Sequence, residues 1–389
     1  MKQLFLLLAA CPLLLQAQTG IQFESGKSWT QIKEAAKKSN KLIFLDAYAS
    51  WCGPCKAMAR DVFTKSTVGN YYNAQFINAK IDMEQGEGVQ LAKRYNVSAY
   101  PTLFFIDGDG NMVHKVLGYK DVDQLLQAGR NANDPSKQFS SLMKKYNQGT
   151  LPESQYMTLI EAMEEAGENE ACATLVSKVL GKNKNWLQEP QLGLVYRFTQ
   201  DANGEQYRFL ANNEATIAAI PGYEGIAEKL DQLVTAQVIQ ETLSEETQQL
   251  DEAKAKRRFQ ELRPATGNAS FAKLMWRYAE FKKESAIHVR AAKAIGAAKS
   301  NFDWQYLNEI AWKIYDEMRA NKALLEEALP IGMESVKKES NYYNNDTVAH
   351  ILAELGKKKD AKKYAQTAIE LGKKTGEDVS STKQLLNSL

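Results

Sequence analysis

Two kinds of apolar pattern succeed each other along this chain. Up to about residue 132, strand-length apolar runs alternate with amphipathic helical stretches; beyond it only the helical kind continues. Lys41 to Tyr48, Ile77 to Asp82, Thr102 to Ile106 and Met112 to Leu117 read as strands. Trp29 to Asn40, Lys56 to Phe63, the piece around Val68 to Phe76, Val89 to Tyr95 and Asp121 to Asn131 read as helices. The turn Asp107-Gly108-Asp109-Gly110-Asn111 between the last two strands marks a hairpin. This order predicts an α/β domain over residues 20–132, with a central mixed sheet and helices on both faces.

Asn133-Asp134-Pro135-Ser136 reads as a linker, and residues 133–389 as a second, all-α domain. Its final third is repetitive. Phe302 to Met318 with Ala323 to Val336 makes one helix pair, and Thr347 to Leu355 with Asp360 to Leu371 makes another. The stretch from Ala353-Glu354-Leu355-Gly356 through Tyr364 and Ala368 is similar to a tetratricopeptide repeat, with small residues where two helices approach and Gly356 at the turn. The proline usual at the repeat end is missing, Lys373 standing near there, and residues 136–300 keep no clean period of about 34. The expectation is an irregular tetratricopeptide-like solenoid.

The chain has 389 residues, more than one core usually holds. A net charge of +2 gives no reason to expect nucleic acid or a charged membrane face. The basic runs Lys254-Ala255-Lys256-Arg257-Arg258 and Lys357-Lys358-Lys359 are interleaved with acids and read as solvated helix faces. At the N-terminus, Lys2 precedes an apolar run from Leu4 to Leu15, too short and too interrupted by Pro12 to span a bilayer. Residues 1–19 therefore read as a signal peptide cleaved near Ala17 or Gln18, and the expected location is a periplasm. Leu8-Ala9-Ala10-Cys11 resembles a lipoprotein box, but Cys11 comes early and the apolar run continues past it, so anchoring there is not expected. No later segment reads as a membrane span.

Removing residues 1–19 leaves Cys52, Cys55 and Cys172, which is no structural disulfide framework. Cys172 lies in an apolar helical stretch and reads as a small buried hydrophobe. Cys52 and Cys55 are spaced to close a disulfide where a strand turns into a helix. Cys52 falls at the helix N-terminus, where unpaired amides and the helix dipole favour a thiolate. Zinc would need two further ligands, and Cys172, His114, His288 and His350 offer no short-spaced pair. Lys56 stands where a haem attachment would want His. No metal and no diffusible cofactor are expected.

Three motifs sharpen this reading. Phe44 to Lys56, containing Trp51-Cys52-Gly53-Pro54-Cys55, resembles the thioredoxin family closely; so does Val97-Ser98-Ala99-Tyr100-Pro101-Thr102-Leu103-Phe104-Phe105; and Gly118 falls where that family has a late glycine. The resemblance covers roughly residues 22–132. It implies a disulfide oxidoreductase fold with Cys52 as nucleophile and Cys55 as resolver, acting on protein disulfides and on a redox partner protein. It implies that Asp46, an acid inside an apolar strand, accepts the proton of the resolving thiol, and that the bond before Pro101 is cis, freeing the Tyr100 backbone to pair with an extended substrate. Trp51 would form an apolar rim, Gly53 would let a partner backbone approach, and Pro54 suits the first helical turn. Two features depart from the family. Tyr100 is bulkier than the aliphatic residue often found before the proline, which narrows substrate choice. The lysine usual near the buried acid has no clear counterpart: Asn78 and Lys80 lie close in register, but the insertion Met83 to Gly88 blurs the alignment.

The chemistry has a scale. Lowering a thiol from about 8.5 to about 7, the value thioredoxin itself supplies, raises the thiolate fraction at neutrality from ~3% to ~50%. Falling nucleophilicity offsets this roughly four- to six-fold, so the attack gains only a few-fold and the larger benefit is a better leaving group. Cys55, one helical turn on, can expel the substrate intramolecularly. The expected function is protein disulfide reduction, with the helical region binding a client or partner. An oxidase or isomerase of the same fold, and a helical scaffold with a vestigial pair, stand as alternatives.

Overall fold

The computed structural model describes residues 20–389; the signal-peptide and Cys11 readings lie outside them. The described chain forms two compact units that part between Leu194 and Val195.

The first unit is built on four strands, β1 (Leu42–Tyr48), β2 (Phe76–Asp82), β3 (Thr102–Ile106) and β4 (Met112–Leu117), in the spatial order β2-β1-β3-β4. β1 runs parallel to β2 and antiparallel to β3, which pairs antiparallel with β4. Helices α1 (Trp29–Ser39), α2 (Gly53–Asp61), α3 (Ser66–Gln75), α4 (Gly88–Arg94) and α5 (Val122–Asn133) cover the sheet. The period-two alternation of β1 explains the two layers. Ile43, Leu45 and Ala47 pack with Trp29 and Ile32 of α1 and Leu91 of α4 on one face. Phe44 packs with Met58 of α2, Tyr72 of α3 and Leu125 of α5 on the other. Asp46 and Tyr48 share the Phe44 side by the same alternation. Helix starts follow local chemistry: Ser28 with Gln31 and Asp121 with Gln124 form capping boxes.

The segment 133–138 leads into further helices rather than out of the unit. α6 (Phe139–Asn147), α7 (Tyr156–Ala166) and α8 (Asn169–Lys182) follow, and α6 and α7 pack on β4. The Phe139 amide donates to Nδ1 of His114 on β4 (3.2 Å), and Lys115 pairs with Glu168 (2.8 Å). Residues 133–194 thus share the compact unit of the sheet, whereas the sequence pattern groups them with the later helices.

In the second unit, consecutive helices pack in pairs: Gly267–Lys282 with Ser285–Ala297, Trp304–Met318 with Lys322–Lys338, and Tyr342–Glu354 with Lys358–Thr375. Gly356 turns the last pair with a φ of 73°. A side chain at Gly332 would meet Val348 at 3.0 Å, so glycine there sets how closely two helices approach. The helix expected from Thr347 begins at Tyr342, capped by Asn341. Among the described residues, no helix is long and apolar enough to cross a membrane.

His114 gives the first unit a pH dependence. Because the Phe139 amide must donate, Nδ1 accepts and the proton sits on Nε2, 3.8 Å from Glu165 and without a hydrogen-bond partner. Burial outweighs that distant carboxylate and lowers the imidazole from 6.5 to about 4. The unfolded chain therefore binds the proton more tightly, and the contribution of His114 to stability is intact above pH 6.5 and lost as pH falls toward 4. The loss is about 3 kcal/mol. Chemical denaturation of the parent should weaken between pH 7 and 4 by roughly that much more than His114→Gln does; parallel curves would refute the assignment.

Candidate functional site

β1 ends at Tyr48, and four residues later the chain enters α2 with Cys52 as its N-cap. The Cys52 sulfur accepts the Cys55 amide (3.1 Å), taking the place of a capping hydroxyl. Pro54 lies in the first turn, where no N–H is needed. Cys52 and Cys55 are joined by a disulfide. Each is 2% exposed, packed with Ala49 against Tyr48 and Tyr100. Their neighbours are open: Trp51 is 66% exposed, and Gly53 and Pro54 are exposed too. A side chain added at Gly53 would meet nothing within 4 Å.

The second loop closes over the pair from β3. The Tyr100–Pro101 bond is cis. The Tyr100 ring lies edge-on to Trp51, centroids 5.9 Å apart. The Pro101 carbonyl accepts the amide of Gly118 (2.8 Å), whose φ is 81°. The structure thus gathers Trp51, Cys52, Gly53, Pro54, Cys55, Tyr100, Pro101 and Gly118 at one end of the sheet. Cys172 packs elsewhere, in α8, its thiol 3.7 Å from the Ile160 carbonyl.

Asp46 is 1% exposed, in the middle of the sheet. Parallel pairing places Lys80 of β2 opposite it, and the ammonium stands 3.1 Å from its carboxylate. The contact is an ion pair without hydrogen-bond alignment, since neither carboxylate oxygen has an aligned donor. Burial pushes the Asp46 carboxyl above its usual range, and Lys80 only partly opposes this. Lys80 therefore occupies the lysine position left open by the sequence. The insertion does not disturb it because Met83 to Gly88 begins after β2 ends; the Met83 amide donates to the Tyr48 carbonyl (2.8 Å). Alternation along β2, which puts Phe76, Asn78 and Lys80 on one side, carried the signal. Glu84 also belongs to this site, beyond the residues the motifs mark. It accepts the Trp51 indole N–H (2.9 Å), and no spacing in the sequence marks it.

The profile of the "Thioredoxin-like domain" family matches residues 30–133. Thioredoxin H4 of Arabidopsis thaliana is 37% identical over 95 residues, which is 24% of this chain and 75% of that protein. The chain belongs to the thioredoxin-like family. The thiol:disulfide interchange protein DsbD of Yersinia pestis is 33% identical over 95 residues, 24% of this chain, and the match spans only 16% of that longer protein. Among solved structures, a candidate disulphide-isomerase from Bacteroides thetaiotaomicron is 41% identical, covering 30% of this chain and 95% of that one, with a TM-score of 0.28. The profile match falls on the sheet-bearing part of the first unit.

The raised Asp46 carboxyl has a stability consequence with a definite sign. The folded state holds the proton more tightly than the unfolded state, so the contribution of Asp46 to stability is full below 3.8 and lost as pH rises through its folded value. Asp46→Asn should therefore unfold at higher denaturant concentration than the parent at pH 8, with the gap closing toward pH 4. A less stable variant at pH 8 would show that the Lys80 pairing outweighs the burial cost.

Proposed function

We propose that this protein is an exported thiol–disulfide oxidoreductase that reduces protein disulfides through Cys52 and Cys55. The observation that carries the reading is a disulfide seated at the N-terminus of α2, its first sulfur held by the Cys55 amide. In the reduced protein the Cys52 thiolate attacks a client disulfide, forming a Cys52–client bond and releasing one client thiolate. Cys55 gives its proton to Asp46, through water, and attacks the Cys52 sulfur. The second client thiolate leaves, and two electrons have passed to the client as the Cys52–Cys55 bond closes. Trp51, Gly53, Pro54, Tyr100, Pro101 and Gly118 form the surface on which the client strand lies. The similarity to the Yersinia relative, a thiol:disulfide interchange protein, supports this chemistry.

The redox part is assigned to residues 20–132, export to the signal sequence 1–19, and client or partner binding to the helical region that follows. That last assignment is supported by a groove of about 530 Å³ in the second unit. Leu329, Met333, Leu352 and Tyr364 line it, with Lys357 and Lys363 beside Asp360. Met333 is 44% exposed, an apolar side chain open to a partner. The similarity of the last helix pairs to tetratricopeptide repeats supports the same reading.

Insulin reduction with the full chain tests the chemistry: Cys52→Ser should fall to the uncatalysed rate, and retained turnover would end the reading. After reduction, Cys52 should be alkylated at neutral pH well before Cys55 and Cys172. Equilibration with glutathione fixes direction, and a potential near about −180 mV would turn the reductase into an isomerase. Cys55→Ala should accumulate client adducts through Cys52. In that background, Lys357→Glu with Lys363→Glu should lower adduct yield several-fold, and an unchanged yield would remove this groove from client binding.

A further inference from the structure

Lys80 is enclosed in a way that ion pairing with Asp46 does not require. Its ammonium lies 4.7 Å from the ring centroid of Tyr48, 5.5 Å from that of Phe63 and 6.0 Å from that of Phe23. Three elements supply these rings. Tyr48 ends β1, Phe63 follows α2, and Phe23 belongs to the N-terminal segment. That segment is pinned by the Ile21 amide on the Phe63 carbonyl (2.7 Å) and the Glu24 amide on the Asn78 carbonyl (2.8 Å). An ammonium has three N–H bonds to place. One side meets Asp46, and ring faces crowd the others, leaving the Lys80 side chain 25% exposed. Ring faces attract a cation electrostatically, which an aliphatic wall of the same shape does not.

Tyr48 holds a distinct place among the three. Its ring packs against the Ala49, Cys52 and Cys55 cluster while standing nearest to Lys80. One side chain therefore touches both the disulfide cluster and the cation paired with the buried acid.

We propose that Tyr48 is a positioning residue for Asp46: its ring face, backed by Phe63 and Phe23, keeps the Lys80 ammonium against the buried carboxylate. The ring and not the hydroxyl performs this role. The contact stands independently of the reductase reading; only its consequence, tuning the acid that takes the Cys55 proton, rests on it. The ionisable groups facing the cluster are Lys80 and Asp82 from β2, the Tyr48 hydroxyl itself from β1, and Cys52 with Cys55 from α2, silent while joined. β3 contributes Leu103 opposite Asp46, which carries no charge.

The test is a carbon-13 NMR titration of the Asp46 carboxyl in the full-length oxidised protein. Tyr48→Phe should titrate with the parent. Tyr48→Leu frees Lys80 and should raise the carboxyl's proton affinity roughly two- to five-fold. In a Lys80→Met background, Tyr48→Leu should add nothing. Should the leucine variant fail to fold, pentafluorophenylalanine at position 48 keeps the shape, removes the negative ring face and should shift the titration as leucine would. Parent-like titration of the leucine or fluorinated variant would overturn the proposal, as would an equal shift in Tyr48→Phe or a shift that persists without Lys80. The experiment reads no turnover, so a protein inactive on insulin can still pass it, and an active one can fail it.

Discussion

The geometry of the pair depends on where β1 stops. β1 lies between β2 and β3, paired with β3 as far as Ala47 and with β2 through its last residue, Tyr48, opposite Asp82. Four residues on, the chain must start a helix, and the residue at that corner has to cap it. Cys52 does so with sulfur in place of oxygen. The same backbone corner that ends the strand thus aims a sulfur at the positive end of a helix. One turn of that helix then fixes where Cys55 falls. The placement of both sulfurs is thus a consequence of strand length.

Desolvation acts on two ionisable groups of the first unit in opposite senses. It raises the carboxyl of Asp46 and lowers the imidazole of His114, in both cases favouring the neutral form. The environments then diverge. Asp46 has a cation at 3.1 Å, itself enclosed by aromatic rings, so its charged form retains a partner. His114 has only Glu165 at 3.8 Å and a backbone amide that fixes its tautomer. The first arrangement gives a buried carboxyl a charged partner. The second suits a neutral wedge that fastens α6 to the sheet edge.

Much of the first unit was legible in the sequence because its strands are short, apolar and bounded by turn residues. The apolar pattern places Thr102 to Ile106 and Met112 to Leu117 at their observed bounds, and the other strands within a residue of theirs. Lys80 was harder, since it becomes a partner of Asp46 only once parallel register is known. Glu84 lies in an irregular turn, where no period applies. The helices of residues 139–182 gave correct helical signals, but periodicity does not say which sheet edge an apolar face will cover. In the second unit, the start at Tyr342 was hidden because Asn344, Asn345 and Asp346 look like a loop. All three are buried, satisfied by Glu339, Asn341 and Thr382 among others, so a polar run became helix interior.

The burial of Cys52 bears on selectivity. A sulfur in a residue 2% exposed cannot be reached by every disulfide that collides with the domain. What an approaching chain meets first is Trp51, Gly53 and Pro54, with the Tyr100 ring behind them. Trp51 is tethered by Glu84 and braced edge-on by Tyr100, so an exposed indole is held in one orientation instead of sweeping the surface. On the proposed reaction, discrimination would therefore arise before sulfur meets sulfur, from whether a segment can lie flat beside a fixed aromatic rim and over a glycine that offers no side chain. A rigid rim costs the incoming chain less ordering on the protein's side than a mobile one would. On the same proposal, the acidic Glu84 that fixes the rim would place negative charge beside the entrance and favour client segments carrying lysine or arginine near their cysteines.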